Sequence, residues 1–361
     1  MIRSILKIRV GSIHTAKQAH TQQRPYSTAN GPWLSPTCPI CAACHPFLPS
    51  PEDTLGHWLG ECSHPMLSAS YIARHNRALC SIQSVIAKAS PTPWFTIMDA
   101  TSESHLPFGV HSTRLPAWLF AHPPGTLSTC LPNDTTLDQL RYLLRPDILI
   151  IHGLSLSDYA RLADRLDCPN PDTTLLSDLR TACTIHIVEL TCTTDASYNF
   201  RLEQKKAQHY QLVRLLLHCG WTIHSAPPPS PRRLAKSALP AAHIADVPAA
   251  PPSSLPTVVQ PSVPTRHRPS SPGSTSLAHH VHIFILTYSC TIPANLQTFL
   301  KLLQVPPPAM HTLLHSLAIQ LVRSTHGLIC LRRRLERDPA TFKYRYLPTP
   351  PISLHRYHEP P

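Results

Sequence analysis

Cys38, Cys41, His57 and Cys62 fall in the pattern C-x2-C-x15-H-x4-C. An ion held at that spacing dictates the path of everything between its ligands. Zinc takes four tetrahedral thiolate or imidazole ligands. The C-x2-C pair lets two thiolates from one tight turn reach one ion. The H-x4-C pair lies about one helical turn apart, on one face, and Thr54 and Leu55 allow a helix there. Cys44, His45 and His64 are alternative donors nearby. Four protein ligands close such a site, so the ion folds its module and does not catalyse. The expectation is a structural zinc module over residues 36–90.

The other cysteines are scattered singly from Cys80 to Cys330, which reads as reduced core residues and not as a disulfide scaffold. No apolar run reaches the roughly 18 residues of a membrane helix. Net charge is +12 with only 14% charged residues, so the chain is short of acids. That balance favours nucleic acid or an anionic membrane as partner. No acidic residue precedes Glu52, and Arg3, Lys7 and Arg9 alternate with apolar and hydroxyl residues. Residues 1–35 therefore read as irregular or as a mitochondrial targeting segment.

The 41 prolines against 10 glycines rule out regular structure over much of the chain. They concentrate at 225–276, which reads as a disordered proline-rich insert, and in the extended tail 339–361. Between the module and the insert, residues 91–224 alternate strand-like and helical runs. Strands are expected at 93–100, 145–153 and 182–194, and helices at 156–166 and 200–221, the latter closed by Gly220. After the insert, 277–338 reads as a strand (282–288) and two helices (295–305 and 308–336). Strand and helix alternation implies an α/β fold.

Asp147 opens one strand-like run and Glu189 lies in another. The next helix carries Lys205 and Lys206, and its apolar line of Leu202, Leu212 and Leu216 also contains Lys205 and His209. Metal-dependent phosphodiester cleavage needs acids for Mg²⁺ and a cation near the scissile phosphate. Two acids on adjacent strands with an inward lysine would supply both. Basic residues at Arg74 and Arg77, and at Arg323, Arg332, Arg333, Arg334, Arg337, Lys343 and Arg345, are candidate phosphate contacts. No phosphate-cradling Gly-rich loop and no supported Ser or Cys nucleophile is found.

In order, the chain shows C-x2-C…H-x4-C, RHN at 74–76, RPD at 145–147, IVELTCTTD at 187–195, EQKKAQHYQLV at 203–213 and GW at 220–221. This series resembles the C-terminal region of non-LTR retrotransposon polyproteins, in which a zinc module is followed by a restriction-enzyme-like endonuclease. The resemblance covers roughly 36–224 and 280–336. It implies a PD-(D/E)-x-K-like mixed-sheet nuclease domain, with Asp147 and Glu189 as Mg²⁺ ligands. It also implies a catalytic lysine on the helix after the strand, at Lys205 or Lys206, with zinc held by Cys38, Cys41, His57 and Cys62. DNA would be the partner, with RNA as the alternative, and the location nuclear, with mitochondrial as the alternative. The strand lysine of the motif is replaced by Thr191, and no reverse transcriptase precedes the module. The expectation is thus a piece of a longer polyprotein, either an active endonuclease or a non-catalytic, zinc-dependent binding remnant.

Overall fold

Four runs, WFTIM, ILIIH, TIHIVELTCT and VHIFILT, are buried or apolar at nearly every position. Such runs suit strands covered on both faces, and that is where the fold puts them. The structure is a computed structural model. It describes residues 13–89, 94–99, 109–112, 114–121, 136–163, 173–194, 197–225 and 280–343, together with Lys7. Arg3 and Arg9, all but Ser225 of the proline-rich insert, the tail beyond Lys343, Asp195 and Arg345 lie outside the described residues.

In chain order the elements are α1 (Ala16–Thr21), β1 (Tyr26–Thr28), β2 (Gly31–Trp33), α2 (Pro39–Cys44), a π turn (His57–Glu61) and α3 (Pro65–Ala89). Then come β3 (Trp94–Met98), β4 (Gly109–His111), a 3-10 turn (Ala117–Phe120), α4 (Leu137–Leu143), β5 (Ile148–His152), α5 (Leu156–Ala163) and α6 (Thr173–Ala182). The remainder is β6 (Thr184–Thr193), α7 (Tyr198–His218), β7 (Thr222–Ile223), β8 (Val281–Thr287), α8 (Ala294–Leu302), α9 (Pro307–Arg337) and α10 (Pro339–Lys343).

The main sheet is mixed. β3 pairs antiparallel with β5, and β5 antiparallel with β6. β4 runs parallel to β3 at one edge. The free side of β6 is shared by β7, parallel at Thr184–Ile185, and β8, parallel over Ile187–Thr193. Strand alternation divides the core into two layers. On one face Leu149, Ile151, Ile185 and Ile187 pack with Leu176 and Leu179 of α6 and Leu212 and Leu216 of α7. On the other face Ile148, Ile150, Val188 and Phe284 pack with Leu79 and Ile82 of α3, Phe299 of α8 and Leu313 and Leu317 of α9. Gly220 ends α7 at φ +86°, and Trp221 N–H bonds back to Leu216 O at 3.1 Å. Only glycine takes that φ at little steric cost.

The fold departs from expectation at both ends of the module. Residues 13–35 are not irregular: α1 and the β1–β2 hairpin pack Ile13, Ala16, Ala19 and Tyr26 into one cluster with Trp58 and Leu59. The same cluster takes in Tyr288, Leu328, Ile329 and Leu335. The module is therefore assembled from three separated stretches of chain, and 36–90 alone holds only part of its core. No described helix is long and apolar enough to cross a membrane.

Candidate functional site

Among the described residues, two constellations gather the chemistry-bearing side chains that the sequence singles out. The first is the Cys/His cluster. Cys38 is the N-cap of α2, Pro39 follows in the first turn, and Cys41 N–H reaches Cys38 Sγ at 3.3 Å. Proline suits that first position because its missing N–H would be unpaired anyway. The helix start thus folds both sulfurs to one side. His57 opens the π turn and Cys62 follows it, and Cys62 N–H bonds to His57 O at 2.9 Å, five residues back. The wider register of a π turn, and not an ordinary α turn, brings the H-x4-C pair together.

One ligand atom from each of Cys38, Cys41, His57 and Cys62 lies within 4.8 Å of the others, and all four residues are buried. Cys41 Sγ is 3.3 Å from His57 Nε2 and 3.6 Å from Cys62 Sγ. Hydrogen bonds from Cys38 and Cys62 pull the Cys41 thiol down to about 3. Burial instead pushes Cys44 up to about 12, which keeps it a thiol outside the cluster. His64 is occupied as acceptor for Met66 N–H at 3.3 Å. A soft, closed Cys3His donor set of this kind can hold a metal such as zinc.

Arg332 lies directly beneath. Its guanidinium donates to Cys62 Sγ (3.2 Å), Cys38 Sγ (3.1 Å), Asp53 Oδ1 (2.9 Å) and Glu336 Oε1 (2.9 Å). It is fully buried and lies 5.3 Å over the Trp58 ring. Asp53 in turn accepts from Ala16 N–H and Trp58 Nε1–H, and Glu336 accepts from Tyr26 Oη–H. This overturns the reading of Arg332 as a phosphate contact. Arg74 is corrected likewise: it is buried, donates to Leu59 O at 2.8 Å and lies 4.7 Å over the Tyr288 ring. Arg77, Arg323 and Arg334 are exposed and Arg333 is half-buried, so these remain accessible to a polyanion.

The second constellation joins β5, β6, α7 and α3. Asp147 precedes β5 and Glu189 sits within β6, and Asp147 N–H donates to Glu189 Oε2 at 3.3 Å. Asp147 Oδ2 accepts from Leu190 N–H at 2.6 Å and lies 3.2 Å from His75 Nε2. Lys205 of α7 pairs with Glu189 Oε1, and His209 Nε2 is 2.8 Å from Glu189 Oε2. Beside them Arg145 pairs with Asp99, whose backbone N–H bonds to Asp147 O at 3.1 Å. Lys206 is not brought to this cluster; it pairs with Glu203, one turn away on its own helix, at 2.8 Å.

The charges are matched. Burial alone would raise the Glu189 carboxyl, but Lys205 and then His209 outweigh it and hold it below the usual carboxylate range. Burial would depress His75, yet the Asp147 carboxylate holds it up to about 10. Asp99 is raised by burial, with Arg145 opposing. Sequence reading found Asp147, Glu189 and Lys205 but missed His75 and Asp99 as their partners. The RHN triplet carried the only signal for His75, through its place between Arg74 and the buried residues Ala78 and Leu79. Comparison with known proteins leaves the chain without a match: no family model, no curated protein and no solved structure matches it.

Proposed function

We propose that this chain is a nucleic-acid-binding protein with a metal-dependent, endonuclease-like centre, derived from a non-LTR retrotransposon polyprotein and acting on DNA in the nucleus. The observation that carries this reading is that Glu189 is contacted both by the Asp147 backbone N–H and by the Lys205 ammonium, so the three residues are neighbours drawn from three parts of the fold. The strand order supports it. Three antiparallel strands, β3, β5 and β6, are followed by α7 and a strand parallel to β6, a mixed sheet that is compatible with a PD-(D/E)-x-K-like domain. Asp147 immediately precedes the second of those strands and Glu189 lies in the third.

The Asp147 and Glu189 carboxylates, on residues bridged by the Asp147 backbone N–H to Glu189 Oε2 bond, would be hard oxygen donors of the kind Mg²⁺ takes. Bound there, Mg²⁺ would supply Lewis-acid polarisation of a phosphoryl oxygen. The protein's own groups do the rest. Leu190 N–H and His75 fix the Asp147 carboxylate, and Lys205 sets a cation against Glu189 where a phosphate's developing charge is stabilised. In the Cys3His cluster, zinc would tie residues 38–62 to one point and fold the module, with Arg332 offsetting the thiolate charge.

One observation favours a second reading, a non-catalytic binding protein. Glu189 is only 2% exposed, and both acids already face cations within the fold. A closed ion cluster of this kind can serve as scaffold alone. Incubation of the protein with supercoiled plasmid and Mg²⁺ separates the two. Nicking supports the endonuclease; binding without nicking, weakening with salt by roughly 0.9 log units per log unit of salt for each phosphate contact, supports the scaffold.

A further inference from the structure

Three histidines meet on the face of the sheet opposite Glu189. His186 lies within β6, His282 near the start of β8, and His224 directly after β7. The register explains the meeting. Ile185 pairs with Ile223, and His224 N–H bonds to Ile185 O at 2.9 Å, which carries His224 alongside His186. Val188 pairs with His282, which sets His282 diagonally from His186 on the same face. One ring nitrogen of each histidine lies within 4.8 Å of the other two.

His186 Nδ1, His224 Nδ1 and His282 Nε2 are buried without a hydrogen-bond partner. His186 is 3% exposed and His282 4% exposed. A buried polar atom left unpaired costs about 1–3 kcal/mol, so three at one place call for a shared ligand. The neighbours are aromatic: Phe299 of α8 lies 4.4 Å from the His282 ring, and Trp94 of β3 lies 5.6 Å from the His186 ring. The three rings pack on one another at 5.0 to 5.7 Å, which gathers their nitrogens at one point.

We propose that His186, His224 and His282 form a second metal site, built for a borderline divalent cation such as Zn²⁺ and open at its fourth position. Three imidazoles suit Zn²⁺, Cu²⁺ or Ni²⁺, and the lack of oxygen donors among them disfavours Mg²⁺ and Ca²⁺. The site is separate from the Cys3His cluster and from Asp147 and Glu189. Its ligands bracket the proline-rich segment, since the chain leaves the sheet just after His224 and returns just before His282. A bound ion clips both ends of that segment to β6 and removes the entropy of holding them together.

The test uses the full chain, incubated with excess Zn²⁺, passed through gel filtration and assayed for zinc per chain. The expected content is roughly two ions per chain, one at the Cys3His cluster and one at the three histidines. His224→Gln, at the half-buried edge of the trio, is expected to lose about one ion and keep the far-ultraviolet circular dichroism of the parent. Equal zinc in the parent and in His224→Gln overturns the proposal. X-ray absorption at the zinc edge of the unaltered protein gives an independent reading. A shell with nitrogen ligands at least as numerous as sulfur is expected, and one dominated by sulfur, as the Cys3His cluster alone would give, overturns the proposal.

Discussion

Arg332 donates to the sulfur of Cys38 across 3.1 Å, although 294 residues separate them in the chain. The contact ties the last long helix to the first turn of the Cys/His cluster. Three buried groups besides Cys38 also depend on that guanidinium: Cys62, Asp53 and Glu336.

Arg332→Leu leaves those groups without their cation. Breaking a buried ion pair by removing one partner costs about 3–5 kcal/mol, and loss of a group bonded to a metal ligand weakens metal binding by roughly 10–100-fold. Chemical unfolding and zinc competition with a chelator are expected to show both effects. Arg334→Leu, an exposed change two residues on, is expected to shift stability by less than about 0.5 kcal/mol.

Structural zinc supplies on the order of 10–16 kcal/mol in finger peptides. Cys41→Ser is therefore expected to open the Cys/His cluster, and the opening extends beyond residues 36–90. Ile13, Tyr26, Leu328 and Leu335 share its core, so hydrogen exchange is expected to accelerate in α1, the β1–β2 hairpin and the end of α9 as well. The strands β5 and β6, packed in the two other core clusters, are expected to keep their protection.

Lys205 and Lys206 are adjacent but differ in consequence. Lys205→Met strips Glu189 of its main cation, so the buried carboxyl is expected to rise toward and above its ordinary range and cleavage to fall by at least about 10²-fold. Lys206→Met breaks a pair with an exposed Glu203 and is expected to leave cleavage unchanged and stability within about 1 kcal/mol.

His75 is held up to about 10 by Asp147, against an ordinary value of 6.5. A raised folded-state pKa means its stabilising contribution is complete below 6.5 and is lost as pH climbs through 10. Nuclear magnetic resonance titration of the ring is expected to find that raised value, and Asp147→Asn is expected to bring it back toward 6.5. An unshifted ring in the parent would remove the His75–Asp147 pair from this account.

The elements were legible where a single period ran unopposed. The β6 and β8 runs and the helices α7 and α9 stand close to where their periodicity puts them. The four cluster ligands were legible because spacing alone constrains them. What escaped was set by distant packing. Residues 13–35 looked like a leader because they lack acids, yet Ala16 N–H and Tyr26 Oη–H find their acids on Asp53 and Glu336, far along the chain. Arg332 stands in a run of three arginines, which by itself does not distinguish a surface charge from a buried one. Its phase with Leu328 and Leu335 on α9, four residues on one side and three on the other, was the signal that it faces inward. Arg74 carries the same signal, in phase with the buried Leu67 and Ala78. His186 and His282 were hidden in strands whose alternation marks burial but not which strands pair across an insert.

The most direct measurement is nicking of supercoiled plasmid in Mg²⁺, with the parent chain and Asp147→Asn assayed side by side at matched zinc content. The account predicts nicking by the parent that Mg²⁺ removal abolishes and that Asp147→Asn reduces by at least about 10²-fold. Nicking that survives Asp147→Asn, or a parent that binds plasmid without cutting it, would contradict it.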